Sequence, residues 1–272
     1  VATFATSEQL LVIIDPGARQ TDGESVRIAK DVLSAGAAAK MCLPDGPEEF
    51  ARALGRRGSR RPVVIGDDHA LVRAVTLLHR ERELTGCGLS VVPVGETSLA
   101  QSLGVPGGAV AAARTVLDGT ERRLDLLIDD SDGVVLTELS IPPTRVSAPA
   151  LSARPWYRTL ARTLTARPAR LASVPSPGAS RLRVEVDDEP LVDLGQPVQA
   201  ISVTPGAHGL AEVEVRPLSV GAEATPLRAL GRTVTVTGPD FRYRADAAVS
   251  GPVRRRTWQV AEGAWGLVLP SV

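Results

Sequence analysis

Aromatic side chains are scarce, with only 3% of the 272 residues being Phe, Trp or Tyr. Proteins that hold single-stranded nucleic acid stack its bases on such rings, so this chain is poorly equipped for that task. Charge of one sign is missing too: 31 basic residues balance 31 acidic ones. The electrostatic footprint of a nucleic-acid partner is therefore absent. Lysine occurs only as Lys30 and Lys40, and no Gly-x-x-x-x-Gly-Lys-Ser/Thr stretch is present, which excludes a P-loop. The two cysteines, Cys42 and Cys87, lack metal-ligand spacing and read as reduced thiols of a cytosolic protein. His69, His79 and His208 form no ligand pattern, so no metal site is expected. No apolar run approaches the ~18 residues of a membrane-crossing helix, and the first residues lack the basic-then-apolar pattern of a secretory signal. The expected location is cytoplasmic.

Hydrophobic residues make up 43% of the chain, enough for a sizeable core, and their spacing changes character midway. Over residues 10–139 short apolar runs alternate with helical periodicity. Leu10 to Ile14 reads as a buried strand ended by Asp15-Pro16-Gly17. A helix follows from Asp22, with Val26, Ala29, Val32 and Leu33 on one face and Gly36 as its stop. Strands follow at Ala39–Leu43, Val63–Ile65 and Leu89–Val94. Between them, Pro47-Glu48-Glu49 opens one helix, and Asp68 to Glu83 carries the apolar face Leu71, Val72, Val75, Leu78. Short helices are expected at 97–103 and 109–118, and Ser131-Asp132-Gly133 marks a hairpin turn. The alternation predicts a Rossmann-like, mostly parallel sheet over 1–141 with helices on both faces.

Residues 142–180, rich in Pro, Ser, Ala and Arg, read as a linker with one short helix near 156–165. From Arg181 the period becomes two. Stretches 181–186, 199–204, 211–216, 232–237 and 256–260 alternate, with turn signals at Asp187-Asp188, Pro205-Gly206, Gly238-Pro239 and Gly251-Pro252. That pattern predicts an antiparallel β-sandwich-like domain over 181–272.

Ligands of open α/β sheets bind beyond the carboxyl ends of the parallel strands, which directs attention to three turns: Asp15-Pro16-Gly17, Gly66-Asp67-Asp68-His69-Ala70 and Pro93-Val94-Gly95-Glu96-Thr97-Ser98. Together with Ser102-Leu103-Gly104-Val105-Pro106, these turns resemble the catalytic domain of the bacterial diacylglycerol kinase family, relatives of NAD kinases and sphingosine kinases. Where that family has Asn-Pro, this chain has Asp15-Pro16. In the family's Gly-Gly-Asp-Gly-Thr turn, Gly66 and Asp68 match, whereas Asp67, His69 and Ala70 replace the other two glycines and the threonine. In its Pro-Leu-Gly-Thr-Gly-Asn-Asp turn, Gly95 matches, Glu96 and Ser98 replace Thr and Asn, and the chain is one residue short. The family's later Asp has a counterpart in Asp125.

The resemblance implies an α/β nucleotide domain joined to a β-sandwich domain. It implies ATP-dependent phosphoryl transfer to a lipid hydroxyl, with Mg²⁺. Asp68 would then act as base or metal organiser, and Asp15, Pro16, Gly66, Asp67, Gly95, Glu96 and Ser98 would line the nucleotide. Partners would be a lipid or membrane surface, at the inner face of the membrane, and a second copy of the chain. Because Asp67 and His69 stand where glycines approach phosphate, the alternative is an inactive pseudo-kinase that binds a nucleotide, lipid or protein partner in a regulatory role and needs no cofactor. The residues alone offer a second reading of Asp68, as the N-cap of its own helix. Elsewhere, Asp129, Asp130 and Asp132 could offer oxygens to a cation or form a solvated turn. Arg254-Arg255-Arg256 could meet anionic lipid or form a solvated tip. Trp258 and Trp265 suit core packing.

Overall fold

The computed structural model describes residues 9–143, 180–218 and 225–271. The first half consists of β1 (Gln9–Ile14), α1 (Pro16–Thr21), α2 (Gly23–Gly36), β2 (Ala38–Cys42), α3 (Pro47–Gly55), β3 (Arg61–Gly66), α4 (Asp68–Arg80), β4 (Gly88–Pro93), α5 (Ser98–Ser102) and α6 (Ala109–Asp118). Its strands pair in parallel in the order β2-β1-β3-β4. Every residue of β1 after Gln9 is buried, because alternate side chains feed two different cores. Leu10, Val12 and Ile14 pack with α2 and α6, while Leu11 and Ile13 pack with α3 and α4. Helices thus cover both faces, which is why the strands read as unbroken apolar runs rather than alternations.

Local chemistry explains most of the boundaries. Asp22 caps α2 by accepting from Ser25 N at 3.0 Å, and Pro47 with Glu48 and Glu49 opens α3 as expected. Two details differ from the sequence expectation. Pro16 starts a helical turn of its own, α1, directly after β1. Gly36 is the last residue of α2 rather than the residue after it, and it serves packing: a Cβ there would sit 2.3 Å from a methyl of Leu117 on α6.

The second half continues with β5 (Thr120–Asp129), β6 (Val134–Val135), β7 (Leu139–Ile141), β8 (Arg183–Val186), β9 (Glu189–Val192), β10 (Val198–Pro205), β11 (Ala211–Pro217), β12 (Leu227–Gly231), β13 (Thr233–Ala245) and β14 (Ala248–Leu269). Apart from one parallel pairing of β14, these strands pair antiparallel. They curl around a third core that includes Val184, Val203, Val213, Val236 and Trp258. The fold is therefore a parallel α/β sheet followed by an antiparallel sandwich-like unit. The turn at Asp187-Asp188 has positive φ at both residues, the backbone of a tight hairpin. The helix expected near 156–165 lies outside the described residues.

Gly238-Pro239 and Gly251-Pro252 are not turns, contrary to the sequence expectation. They lie inside β13 and β14, at the register shifts of that hairpin. Proline lacks the N–H a ladder needs, so each dipeptide interrupts the pairing and bends the ribbon. The reversal falls instead at Asp246 (φ 48°).

The two halves share a strand pair. β14 runs out of the antiparallel unit and pairs in parallel with β4, Gly266 opposite Gly88 and Leu267 opposite Leu89. Along β5, Leu126 faces the core of α4 while its neighbour Leu127 faces the antiparallel core. On β14, Trp258 enters the antiparallel core and Trp265 the core of α4, both fully buried. Among the described residues, no helix is long and apolar enough to cross a membrane.

Candidate functional site

β1 lies between β2 and β3, and the helices that follow β1 and β3, α2 and α4, cover opposite faces of the sheet. The crevice beyond its carboxyl end is the topological switch point, where such sheets bind ligands. Three backbone bonds assemble the site there. Asp15 N donates to Ile65 O at 2.9 Å, Val94 N to Gly66 O at 2.8 Å and Asp68 N to Glu96 O at 2.8 Å. Asp15, Pro16, Gly66, Asp67, Asp68, Gly95, Glu96 and Ser98 are thereby brought onto adjoining turns.

The carboxylates have specific tasks. Asp67, rather than Asp68, caps α4, accepting from Ala70 N at 2.9 Å. Asp68 is 3% exposed and reaches across to the next turn. One of its oxygens accepts from Leu99 N at 2.9 Å and from the Ser98 hydroxyl at 3.2 Å, and the other accepts from Ala100 N at 3.0 Å. It therefore caps α5, a neighbour in space, and not its own helix. Asp15 accepts from Gly17 N at 2.9 Å at the start of α1 and from Arg73 Nη1 at 2.8 Å. The Arg73 guanidinium also lies 5.5 Å from the centroid of the Phe50 ring, a cation–π distance. Sequence reasoning missed Arg73, since nothing local distinguishes it from the other non-core positions of α4.

The glycines serve two different needs. Gly95 has φ +99°, a conformation open to glycine and strained for other residues. Gly66 has no such need: a Cβ there would meet Ala70 Cβ at 2.6 Å and Asp15 Cβ at 3.1 Å. The space beside Gly66 is filled by the side chains of Ala70 and Asp15.

The chemical consequence is a site already saturated with anions. Helix N-termini attract negative charge through unpaired amides and the helix dipole. At α1, α4 and α5, Gly17 N donates to Asp15, Ala70 N to Asp67, and Leu99 N and Ala100 N to Asp68. The only cation bonded to these three carboxylates among the described residues is Arg73, which Asp15 binds. Glu96 stands exposed beside them. These residues fit a triphosphate poorly, since it would meet like charge and compete with Asp15, Asp67 and Asp68 for the amides of Gly17, Ala70, Leu99 and Ala100. Among the described residues, no cluster of three or more His, Cys, Asp or Glu is placed to hold a metal.

The other sequence candidates have structural partners. Asp125 accepts from Gly209 N and Gly263 N, tying the loop between β10 and β11 and the irregular stretch of β14 to β5. Asp129 folds its own turn, accepting from Ser131 N, the Ser131 hydroxyl and Gly133 N, and takes a bond from Tyr243 Oη. Burial pushes its pKa up, but Ser131, the Gly133 amide and Arg256 outweigh burial and hold it below the ordinary carboxylate range. Asp130 pairs with Arg256, and Arg254 with Asp240, so the arginine run lies on β14 and two of its members are paired. Asp246 anchors its turn by accepting from the backbone N–H groups of Leu136, Thr137 and Glu138. Burial raises the Asp246 pKa against those bonds, and burial together with the Asp246 charge raises that of Glu138.

The architecture, a parallel α/β sheet carrying a curled antiparallel unit, is shared with solved structures described as diacylglycerol kinases. Two structures of a candidate diacylglycerol kinase from Bacillus anthracis str. Sterne superpose with a TM-score of 0.71, at 12% identity over 97% of this chain and 98% of theirs. A further structure, described as a diacylglycerol kinase from the same organism, gives 0.69 at 11% identity, covering 97% of both chains. At such identities the likeness is one of fold. No family model and no curated protein matches the chain.

Proposed function

We propose that this protein keeps the diacylglycerol-kinase-like fold but has lost phosphoryl transfer, and works as a binding protein of that fold. The observation that carries this reading is Asp67, a carboxylate that stands where the family has a glycine and caps α4 at the switch point, beside Asp15 and the exposed Glu96. Phosphoryl transfer depends on positioning phosphate groups and neutralising their charge. This crevice supplies negative charge where positive charge is needed. The active-kinase alternative rests on Asp68 as the base that takes the proton of a lipid hydroxyl. Both Asp68 oxygens already accept hydrogen bonds and the residue is 3% exposed, which leaves a lipid hydroxyl little access to it.

The test pairs a titration with an activity assay. Isothermal titration with Mg²⁺-ATP should give no saturable heat up to millimolar nucleotide. Radiolabelled transfer to a diacylglycerol panel should stay at the protein-free background. Micromolar binding at one nucleotide per chain, or lipid-dependent turnover, would overturn the reading.

A further inference from the structure

On the α3 face of the parallel sheet, at its outer edge, a groove of about 260 Å³ runs between β2 and α3. Its floor is apolar, made by Leu11, Cys42 and Ala53, and its walls carry Lys40, Arg52, Arg56 and Glu49. Among the described residues β2 is the edge strand, paired only with β1. Lys40 and Cys42 alternate with residues that pack on the α2 side, so both turn toward α3. An edge-strand lysine often serves only to discourage pairing with another chain. That explanation does not extend to Arg52, on α3, and Arg56, its C-cap, which line the same groove.

The charges of this groove are largely uncommitted. Glu49 accepts from Asp45 N at 3.0 Å and lies 3.7 Å from Arg52, an exposed pair beyond hydrogen-bond length. Lys40 and Arg56 make no ion pair among the described residues. Set against the Glu49 carboxylate, the three cations leave two positive charges in a recess with an apolar floor. A phosphate monoester carries about −1.5 to −2 charges at neutral pH and three strong acceptor oxygens. Arginine matches such a group with paired N–H donors, and lysine adds a point charge. At ~30 Å³ per water molecule, the groove has room for an ester of a few carbons.

We infer that this groove is a phosphate-monoester site, separate from the switch point, with Lys40, Arg52 and Arg56 as its cations and Leu11, Cys42 and Ala53 against the carbon chain. It does not depend on the reading of the switch point, because its residues are different ones. The ester can belong to a soluble metabolite or to a lipid headgroup.

The experiment uses the full chain and three probes: glycerol 3-phosphate, succinate as a dianion without phosphate, and vesicles of phosphatidylcholine with or without phosphatidic acid. Binding is read by isothermal titration and vesicle flotation, and its place by maleimide labelling of Cys42. Cys87, buried and with its thiol pKa pushed up by burial, is the internal control. Glycerol 3-phosphate or phosphatidic-acid vesicles should bind and slow Cys42 labelling at least fivefold, and the double variant Lys40→Gln/Arg56→Gln should bind at least tenfold more weakly with an unchanged melting temperature. Binding of the soluble ester assigns a metabolite; binding of vesicles alone assigns a headgroup. No binding of either, equal affinity for succinate, or binding that ignores both the double variant and Cys42 would overturn the proposal.

Discussion

Replacing Asp68 by Asn should destabilise the protein, although Asn and Asp are near-equal helix caps. The reason lies in the direction of its bonds. Both Asp68 oxygens accept, from Leu99 N and Ser98 on one side and Ala100 N on the other, in a site 3% exposed. Asparagine keeps one acceptor and turns an NH₂ toward the amide that the other oxygen served. One charge-assisted bond is lost, worth about 1.5–3 kcal/mol, and a buried N–H is left unpaired, so a loss of about 2–4 kcal/mol is expected. For a chain of this size that corresponds to a melting temperature lower by roughly 5–10 °C. The matched control is Asp67→Asn. Asp67 accepts a single bond, from Ala70 N, at a position only partly buried, and Asn can supply that one acceptor. Its effect should stay within ~0.5 kcal/mol. Thermal melts and urea titrations of the three proteins decide the matter. An Asp68→Asn protein that melts within about a degree of wild type, or an Asp67→Asn protein that suffers more, would refute the cross-turn role of Asp68.

Gly66→Ala should cost about 1–3 kcal/mol by overpacking against Ala70 and Asp15, read in the same melts; a neutral substitution would mean the turn has slack that a ligand could use. Glu138→Gln should raise the melting temperature at pH 7. The folded-state pKa of Glu138 is raised by burial and by Asp246, so its ionised form opposes folding once pH rises through that pKa. The gain should fade as pH falls toward the ordinary glutamate value of 4.5, where both folded and unfolded chains hold the proton. A gain that persists unchanged at pH 4 would show that charge is not its cause.

Much of the fold was legible because it rests on spacing along the chain. Buried strands announce themselves as short apolar runs, and the period-two stretches after Arg181 could only be half-buried strands. Pro47-Glu48-Glu49 and Asp22 mark helix starts by chemistry that acts within one turn. The same local logic misled at Gly238-Pro239 and Gly251-Pro252, where a long ribbon bends without reversing. It also misled at Asp68, whose partners Leu99 and Ala100 lie 31 and 32 residues away.

What the sequence by itself determined, then, is which residues could stand at the ends of parallel strands and which could cap a helix. The tertiary structure decided which carboxylate meets which amide, because that depends on strand order: β3 lies beside β4, so the turn after one faces the helix that follows the other. Strand order likewise placed Arg73 on Asp15, 58 residues earlier, set Lys40 opposite the arginines of α3, and carried the end of β14 to β4. Hydrogen bonds and ion pairs act over a few ångströms and are indifferent to chain separation, so contacts like these become visible only once the sheet is assembled.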